Sequence, residues 1–567
     1  MQIRLLLAGT IIALSILTSA CQGPAPEIAV ESPGMGSTHS SEFPIEFELD
    51  IKTKNVDLNE AEVVWSSSET GEIAHGTNVE SKLEPGAHEI QVEVKIEGRA
   101  PAHRIVPVRV VRTWAKTIDA TTGVSVPIVE TDSAGNAYVA GSYGGSGRVS
   151  IGDWDFRGSS LEKNTLVAKL TPGGEYKWAK SFNSSKPNAV EVTDSGVQYV
   201  CGCLWGRSEI GGDTLTAIGE SDVLVLKLSP TGEVDWIRNW GGRFFHQSQQ
   251  RGAIGGQFRT GASCNDIDVT ESGDLVITGR FGLDRAPHIR GRPTGKIEIG
   301  KEELRSAGDD DLFAARIDDE GNVIWATSWG KERADIGHGI AVRSDGRLYV
   351  VGQAKRSTPS PSPGYHEFWF LDAYSKSGER TRLIEPKHIG FETMGLRAFG
   401  EGLAISGTFE GGVDLGGGYS LEQETEFDAG FVAYVSTSGK PKWLRGFQSD
   451  RFALGGSEAR NEKLFVVGTN LRGDMKVTQP GMLITTVAEL GSEESGYRLA
   501  FDQEGKFLGG RRMTAGGVVV PQAISIAGKG RVAFVSGAFE GEFQLGGTTL
   551  EPDGRSAGFV GRVANRK

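Results

Sequence analysis

D-S-A-G-N-A-Y-V-A-G (132–141) is the stretch whose reading decides the fold. It is a polar turn, an apolar strand and a closing Gly, and it recurs six more times. The copies are D-S-G-V-Q-Y-V-C-G (194–202), E-S-G-D-L-V-I-T-G (271–279), S-D-G-R-L-Y-V-V-G (344–352), G-E-G-L-A-I-S-G (400–407), N-E-K-L-F-V-V-G (461–468) and G-K-G-R-V-A-F-V-S-G (528–537). Their closing glycines stand between 55 and 77 residues apart. Self-similarity at such a period is the signature of a repeat architecture.

A second pattern follows the first in most copies. It reads V-A-K-L-T-P-G-G-E-Y-K-W (167–178), V-L-K-L-S-P-T-G-E-V-D-W (225–236), A-A-R-I-D-D-E-G-N-V-I-W (314–325) and V-A-Y-V-S-T-S-G-K-P-K-W (432–443). Strand, Gly turn and strand make a β-hairpin. Trp178, Trp236, Trp325 and Trp443 recur at one place in it, as rings packed between successive units would. Each repeat therefore predicts four strands, the content of one β-propeller blade. The last repeat stops at Phe559–Val563 with no Trp strand after it. The orphan Trp strand, Thr113–Ile118, precedes the first repeat. Docking one on the other closes seven blades and leaves no exposed sheet edge. The expected fold is all-β: a seven-bladed β-propeller over 113–567 behind an N-terminal Ig-like β-sandwich over 34–112.

With a middle element such as Ile151-Gly152 with Phe156, Ile210-Gly211 with Leu215, and Ile299-Gly300 with Leu304, the unit resembles the SBBP-type β-propeller repeat of bacterial secreted and surface proteins. The resemblance covers roughly 113–567. It implies a propeller and an exported location, and it implies no reaction. Blade four lacks the middle element, and blade six is degenerate after Gly468. Residues 27–112 resemble Ig-like and PKD-like modules without the Cys pair. Trp65 would anchor that core, and Ile90, Val92 and Val94 would alternate along one strand.

The address is written at the start of the chain. Arg4 precedes an apolar run, Leu5 to Leu17, that is too short for a bilayer span of ~20 residues and has the layout of a secretory signal. Leu17-Thr18-Ser19-Ala20-Cys21 resembles the lipobox of bacterial lipoproteins. That resemblance implies cleavage before Cys21, a lipid on Cys21 that holds the protein to the membrane, and, with Gln22 following, the outer membrane. Residues 21–33 read as a tether.

Composition excludes one class of partner. The net charge is −13, and basic residues are spread along the chain. Nucleic acid needs a concentrated basic face. Gly is 80 of 567 residues, as a chain of many tight turns requires. Beyond Cys21 three cysteines remain, and Cys201 or Cys203 can bridge to Cys264 in an oxidising compartment.

The long insertions, 241–263, 283–296 and 355–366, all fall on one face of the expected propeller, opposite the tight turns. Rigid scaffolds carry function on such loops. Phe244, Phe245, His246, Arg251, His288, Arg290 and Arg292 are the candidate contacts for a protein or glycan ligand. No nucleophile elbow, phosphate loop or Cys/His metal spacing occurs. Asp309–Asp311 with Asp318 and Asp319 could serve Ca²⁺ but lack a recognisable loop pattern. The sequence reading is a monomeric, lipid-anchored, non-catalytic binding or scaffolding protein without cofactor. The alternative is a propeller enzyme acting on glycans or other envelope polymers. Clustered Asp, Glu, Arg or His in the central channel would favour the enzyme, and Val, Ala and Ser the scaffold.

Overall fold

Polar–apolar alternation in this chain becomes strand almost everywhere. The computed structural model describes residues 23–564, apart from 42–43, 53–60, 159–161, 247–255, 283–294, 332, 358–364, 385–389, 423–428, 450, 461, 473–475, 481, 487–494, 516–517, 528–531 and 546–547. The described residues hold strands and turns and no helix, so the chain is all-β. It divides into two bodies, one ending at Val111 and the other beginning at Arg112.

The N-terminal body has two sheets. Ile28–Ser32, Ile45–Ile51 and Asn78–Ser81 form one. The other runs in the order Thr38–Ser40, Ala102–Val111, Gly86–Lys95, Glu62–Ser67, Gly71–His75. Every second residue of Ile45–Ile51 is buried, as a sheet with one wet face requires. Trp65 is fully buried, sits 5.3 Å from the Phe47 ring and gives its indole N–H to the Gly76 carbonyl. Ile90, Val92 and Val94 share that core, as their alternation predicts. The tether expected over 21–33 is corrected in part. Gly23 bridges to Arg99, and Ile28–Ser32 pairs with Ile45–Ile51, because Ile28 supplies a buried side chain to the core.

In the C-terminal body each repeat forms an antiparallel quartet. Repeat one is Val124–Thr131, Ala137–Tyr143, Asn164–Leu170 and Tyr176–Phe182. Its first turn shows why the opening motif has its composition. Asp132 accepts the Asn136 backbone N–H at 2.9 Å, the Asn136 amide at 2.7 Å and the Tyr138 hydroxyl at 3.0 Å. Gly135 takes φ +79°, which a side chain would resist. Repeats two to six follow the same plan. Repeat six also keeps a middle hairpin, Lys476–Gln479 with Met482–Thr486, where the sequence had lost the apolar-Gly signal.

Repeat seven draws on both parts of the chain. Val518–Ala527, Val532–Glu540 and Ser556–Ala564 pair in order, and Trp114–Ala120 pairs on Ser556–Ala564 with Val560 opposite Lys116. The first strands of the seven repeats lie beside one another in sequence order, and the seventh lies beside the first. Ser125 donates to Gln522, and Thr131 and Ser525 hydroxyls meet at 3.1 Å across that junction.

The recurrent tryptophans join each repeat to the next. The indole N–H groups of Trp114, Trp178, Trp236, Trp325 and Trp443 donate to the carbonyls of Pro172, Pro230, Asp319, Lys376 and Gln503. Each acceptor sits in the following repeat's last turn. A Cβ on that turn's glycine would fall 2.7 Å from Trp114 at Gly174, 2.7 Å from Trp178 at Gly232 and 2.6 Å from Trp443 at Gly505. The ring fits only over glycine, so the two motifs specify each other.

Cys201 and Cys264 form a disulfide between repeats two and three, with Cα atoms 5.7 Å apart. Cys203 is the remaining buried thiol, and burial pushes its pKa up to about 12. Trp178→Ala is expected to lower the stability of the C-terminal body by about 3–5 kcal/mol, and Cys264→Ala by about 2–4 kcal/mol. Urea unfolding followed by tryptophan fluorescence checks both, and reductant should reproduce only the second loss.

Candidate functional site

Alternate side chains of a strand point the same way, so one register position per first strand defines a layer. The residues paired with the position three before each closing Gly are Glu130, Glu191, Asp268, Ala341, Arg397, Glu458 and Ser525. Four acids and one arginine thus share a layer. Asp266, one step along in repeat three, adds a fifth acid. A cavity of about 530 Å³ opens on them, walled by Glu130, Glu191, Asp268, Arg397, Glu458 and Ser525 and rimmed by Thr193, Asp194, Thr270, Glu271 and Arg460. A second space of about 300 Å³ continues along the first strands past Asn188, Asn265, Asp266, His338 and Gln522.

The hydrogen bonds of this region run from one first strand to its neighbour. Asn188 donates to the Cys264 carbonyl at 2.7 Å, and Asn265 to that of Gly337 at 2.8 Å. Asp266 accepts the Ile340 N–H, and Asp268 the Val342 N–H, each at 2.8 Å. Ser525 donates to Glu130 at 3.3 Å. Arg397 donates to its neighbour Leu396's carbonyl at 2.9 Å and stands 3.9 Å from Asp266. No side-chain hydrogen bond or ion pair joins the Glu191 or Glu458 carboxyl to another described residue.

Most of these groups are half-buried along the first strands, and the Arg397 side chain is 39% exposed. Desolvation therefore dominates their protonation. It holds Glu130 up at about 8, with the Glu458 charge adding to the effect. Glu191 is pushed well above the usual range by desolvation and then by Asp268. Desolvation raises Glu458 to about 7 against the pull of Arg397 and Arg460, and Asp268 to about 6 against its backbone N–H bonds. Asp266 is raised for the same reason, and Arg397 opposes the shift. The surrounding acids, Asp266 and Glu458 foremost, outweigh burial at Arg397 and raise its pKa further.

The rim residues belong to the first turns of repeats two and three, so the chamber lies at the tight-turn end. The expected site was assigned to the opposite, insertion-rich end. Phe244, Phe245 and His246 form a backbone hairpin opposite Phe258, Gln257 and Gly256. Arg251, His288, Arg290 and Arg292 lie outside the described residues, as does Cys21. The aspartates weighed for Ca²⁺ are not brought together. Asp311 and Asp318 mark opposite ends of Asp310–Ile317, roughly 20 Å apart. Asp319 instead accepts the Tyr199 hydroxyl at 2.5 Å and pairs with Lys227 at 2.6 Å. His338 lines the second space. Sequence reasoning missed the carboxyl layer, although the register against the closing Gly could have found it.

No family model matches the chain, and no curated protein matches it. Among solved structures it is similar to YCF48 bound to D1 peptide, with 10% identity, 79% of this chain and 94% of that chain covered, and a TM-score of 0.32. A puromycin hydrolase mutant complexed with PGG gives 11% identity, 74% and 59% coverage, and a TM-score of 0.29. A Bacteroides ovatus glucan-utilisation protein, SGBP-B, in complex with a mixed-linkage heptasaccharide gives 9%, 51% and 91%, and 0.14.

A carboxyl with a raised folded pKa binds its proton more tightly in the native state than in the unfolded chain. The stability it confers is complete below about pH 4 and is lost as pH rises through the folded pKa. The thermal midpoint of the C-terminal body should therefore fall between pH 5 and pH 8.5. Glu458→Gln should flatten that fall and raise the midpoint at pH 8, as measured by scanning calorimetry across the series.

Proposed function

We propose that this protein is a lipid-anchored envelope protein whose C-terminal body is a closed seven-bladed β-propeller and whose role is binding, not catalysis. Support for the closed propeller comes from the return of Trp114–Ala120 to Ser556–Ala564 and from the cyclic adjacency of the first strands. The N-terminal body is read as an Ig-like sandwich. Cys21, after its apolar leader, carries the lipid in the outer membrane, and a Cys201–Cys264 disulfide suits an oxidising compartment.

The observation that carries the binding site is the carboxyl chamber at the tight-turn end of the channel. The site thereby moves from the loop-rich face to the opposite mouth. Its 530 Å³ is within the range of ligand pockets, about 300–1,000 Å³. No aromatic ring stands among the described residues that line it. Sugar rings would find no stacking platform there, so recognition rests on charge and hydrogen bonding.

On the criterion drawn from the sequence, the channel lining favours the enzyme reading. Acids cluster with an arginine in the channel, and Glu130 and Asp268 hold their protons with different strength, as a general acid and a general base do. Reducing-end release from envelope glycans, abolished by Glu130→Gln and by Asp268→Asn, would establish that reading over binding.

Two experiments test the leading one. A photoreactive residue at Asp194 or Glu271 should give adducts in intact envelopes that disappear with Glu458→Gln, whereas one at Glu302, in a middle hairpin, should give none. Adducts from Glu302 alone would return the site to the loop-rich face. Cys21→Ser should abolish incorporation of a labelled fatty acid and shift the protein from the outer-membrane fraction to the soluble one.

A further inference from the structure

The chamber holds more negative groups than its own cations can meet. Glu130, Glu191, Asp268 and Glu458 face Arg397 within it, while Asp194 and Glu271 oppose Arg460 at the rim. Arg397 is already engaged by Leu396 and Asp266. Glu191 and Glu458 line the space, are half-buried, and no side-chain hydrogen bond or ion pair joins their carboxyls to a described residue. A half-buried carboxyl that faces other acids and has no side-chain partner is relieved either by a proton or by an arriving cation.

The space also says which kind of cation. Among the described residues no group of three acidic, His or Cys side chains could hold a metal ion. The acids come from four separate strands around about 530 Å³, so they are spread rather than focused. Several ammonium groups separated by methylenes match that spread, and each ammonium brings three donors for carboxyl oxygens. Resting on the reading of the chamber as a binding site, we propose that it takes an organic polyamine chain, free or as lysine side chains, in exchange for protons held by its own carboxyls.

Exchange gives a signature that surface attraction lacks. The ligand can enter only as protons leave, so affinity rises with pH while the amines stay charged. Calorimetric titration of the full-length protein with spermine, with tetralysine and with CaCl₂ as separate arms tests this at pH 5.5, 6.5 and 7.5. Spermine is expected to tighten about tenfold across that range. Its binding heat should vary with the buffer's ionisation enthalpy, reporting proton release. Glu191→Gln and Glu458→Gln should each weaken it about fivefold and release fewer protons, while the exposed control Glu302→Gln should do neither. Thermal midpoints equal to or above that of the parent protein keep loss of folding apart from loss of binding. Tighter binding of tetralysine than of spermine would place the amines on a peptide. Saturable Ca²⁺ binding with no response to spermine, or spermine binding without proton release, overturns the proposal. Adducts at Asp194 with no amine response would sink the ligand class alone and leave the site standing.

Discussion

One strand pairing makes the rest of the C-terminal body what it is: Trp114–Ala120 against Ser556–Ala564. Without it, two sheet edges would expose unpaired N–H and C=O groups, and the first and seventh repeats would have no reason to meet. With it, Trp114 reaches the last turn of repeat one and covers Gly174, as Trp178 covers Gly232 one repeat later. The joint between the two chain regions is thus built like the joints between consecutive repeats. Repeat four lacks the tryptophan, and Leu383 lies over Gly439 in its stead. In repeat seven the third and fourth strands come from opposite parts of the sequence. No turn connects them for a ring to cover, and none of the recurrent tryptophans comes from repeat six.

The same pairing brings the first strands of repeats one and seven together beside the chamber. Glu130, Glu191, Asp268 and Glu458 are unremarkable strand residues in isolation, each exposed to water in an open array. Cyclic adjacency brings their register positions to a common axis and removes part of their solvent. That is an electrostatic liability. The molecule limits it with one guanidinium in the layer, with backbone N–H groups on Asp266 and Asp268, and with protons on the remainder. Fold stability and the capacity to accept a cation draw on the same groups, so any ligand that replaces the protons also relieves a strain of the folded state.

Strand content, repeat number and the returning strand were legible because they rest on local periodicity and on a countable mismatch at the two ends of the array. The Trp–Gly pairing was half legible: the rings recurred visibly, but their target lay one repeat away, and no local pattern announces a contact 52 to 60 residues distant such as Trp178 with Pro230 or Trp443 with Gln503. The carboxyl layer was missed for a different reason. Its members carry no common motif. Glu130 lies in V-P-I-V-E-T, Glu191 in A-V-E-V-T, Asp268 in D-I-D-V-T and Glu458 in G-S-E-A-R, and only register against the second strand aligns them. Ile28–Ser32 was read as tether from the three prolines of residues 22–33, yet a buried Ile28 and a pairing partner make it strand.

The disulfide acquires a reason from this arrangement. Going round the layer, repeats one, two and three contribute acids in succession, whereas repeats four and five contribute Ala341 and Arg397. The like charge that acts most strongly on Glu191 is Asp268, across the junction of repeats two and three. Cys201 and Cys264 bridge that same junction, joining the second strand of one repeat to the first strand of the next. Hydrophobic burial and the Trp236 contact with Asp319 hold the two repeats elsewhere along their faces. The covalent tie thus joins the two repeats that carry Glu191 and Asp268.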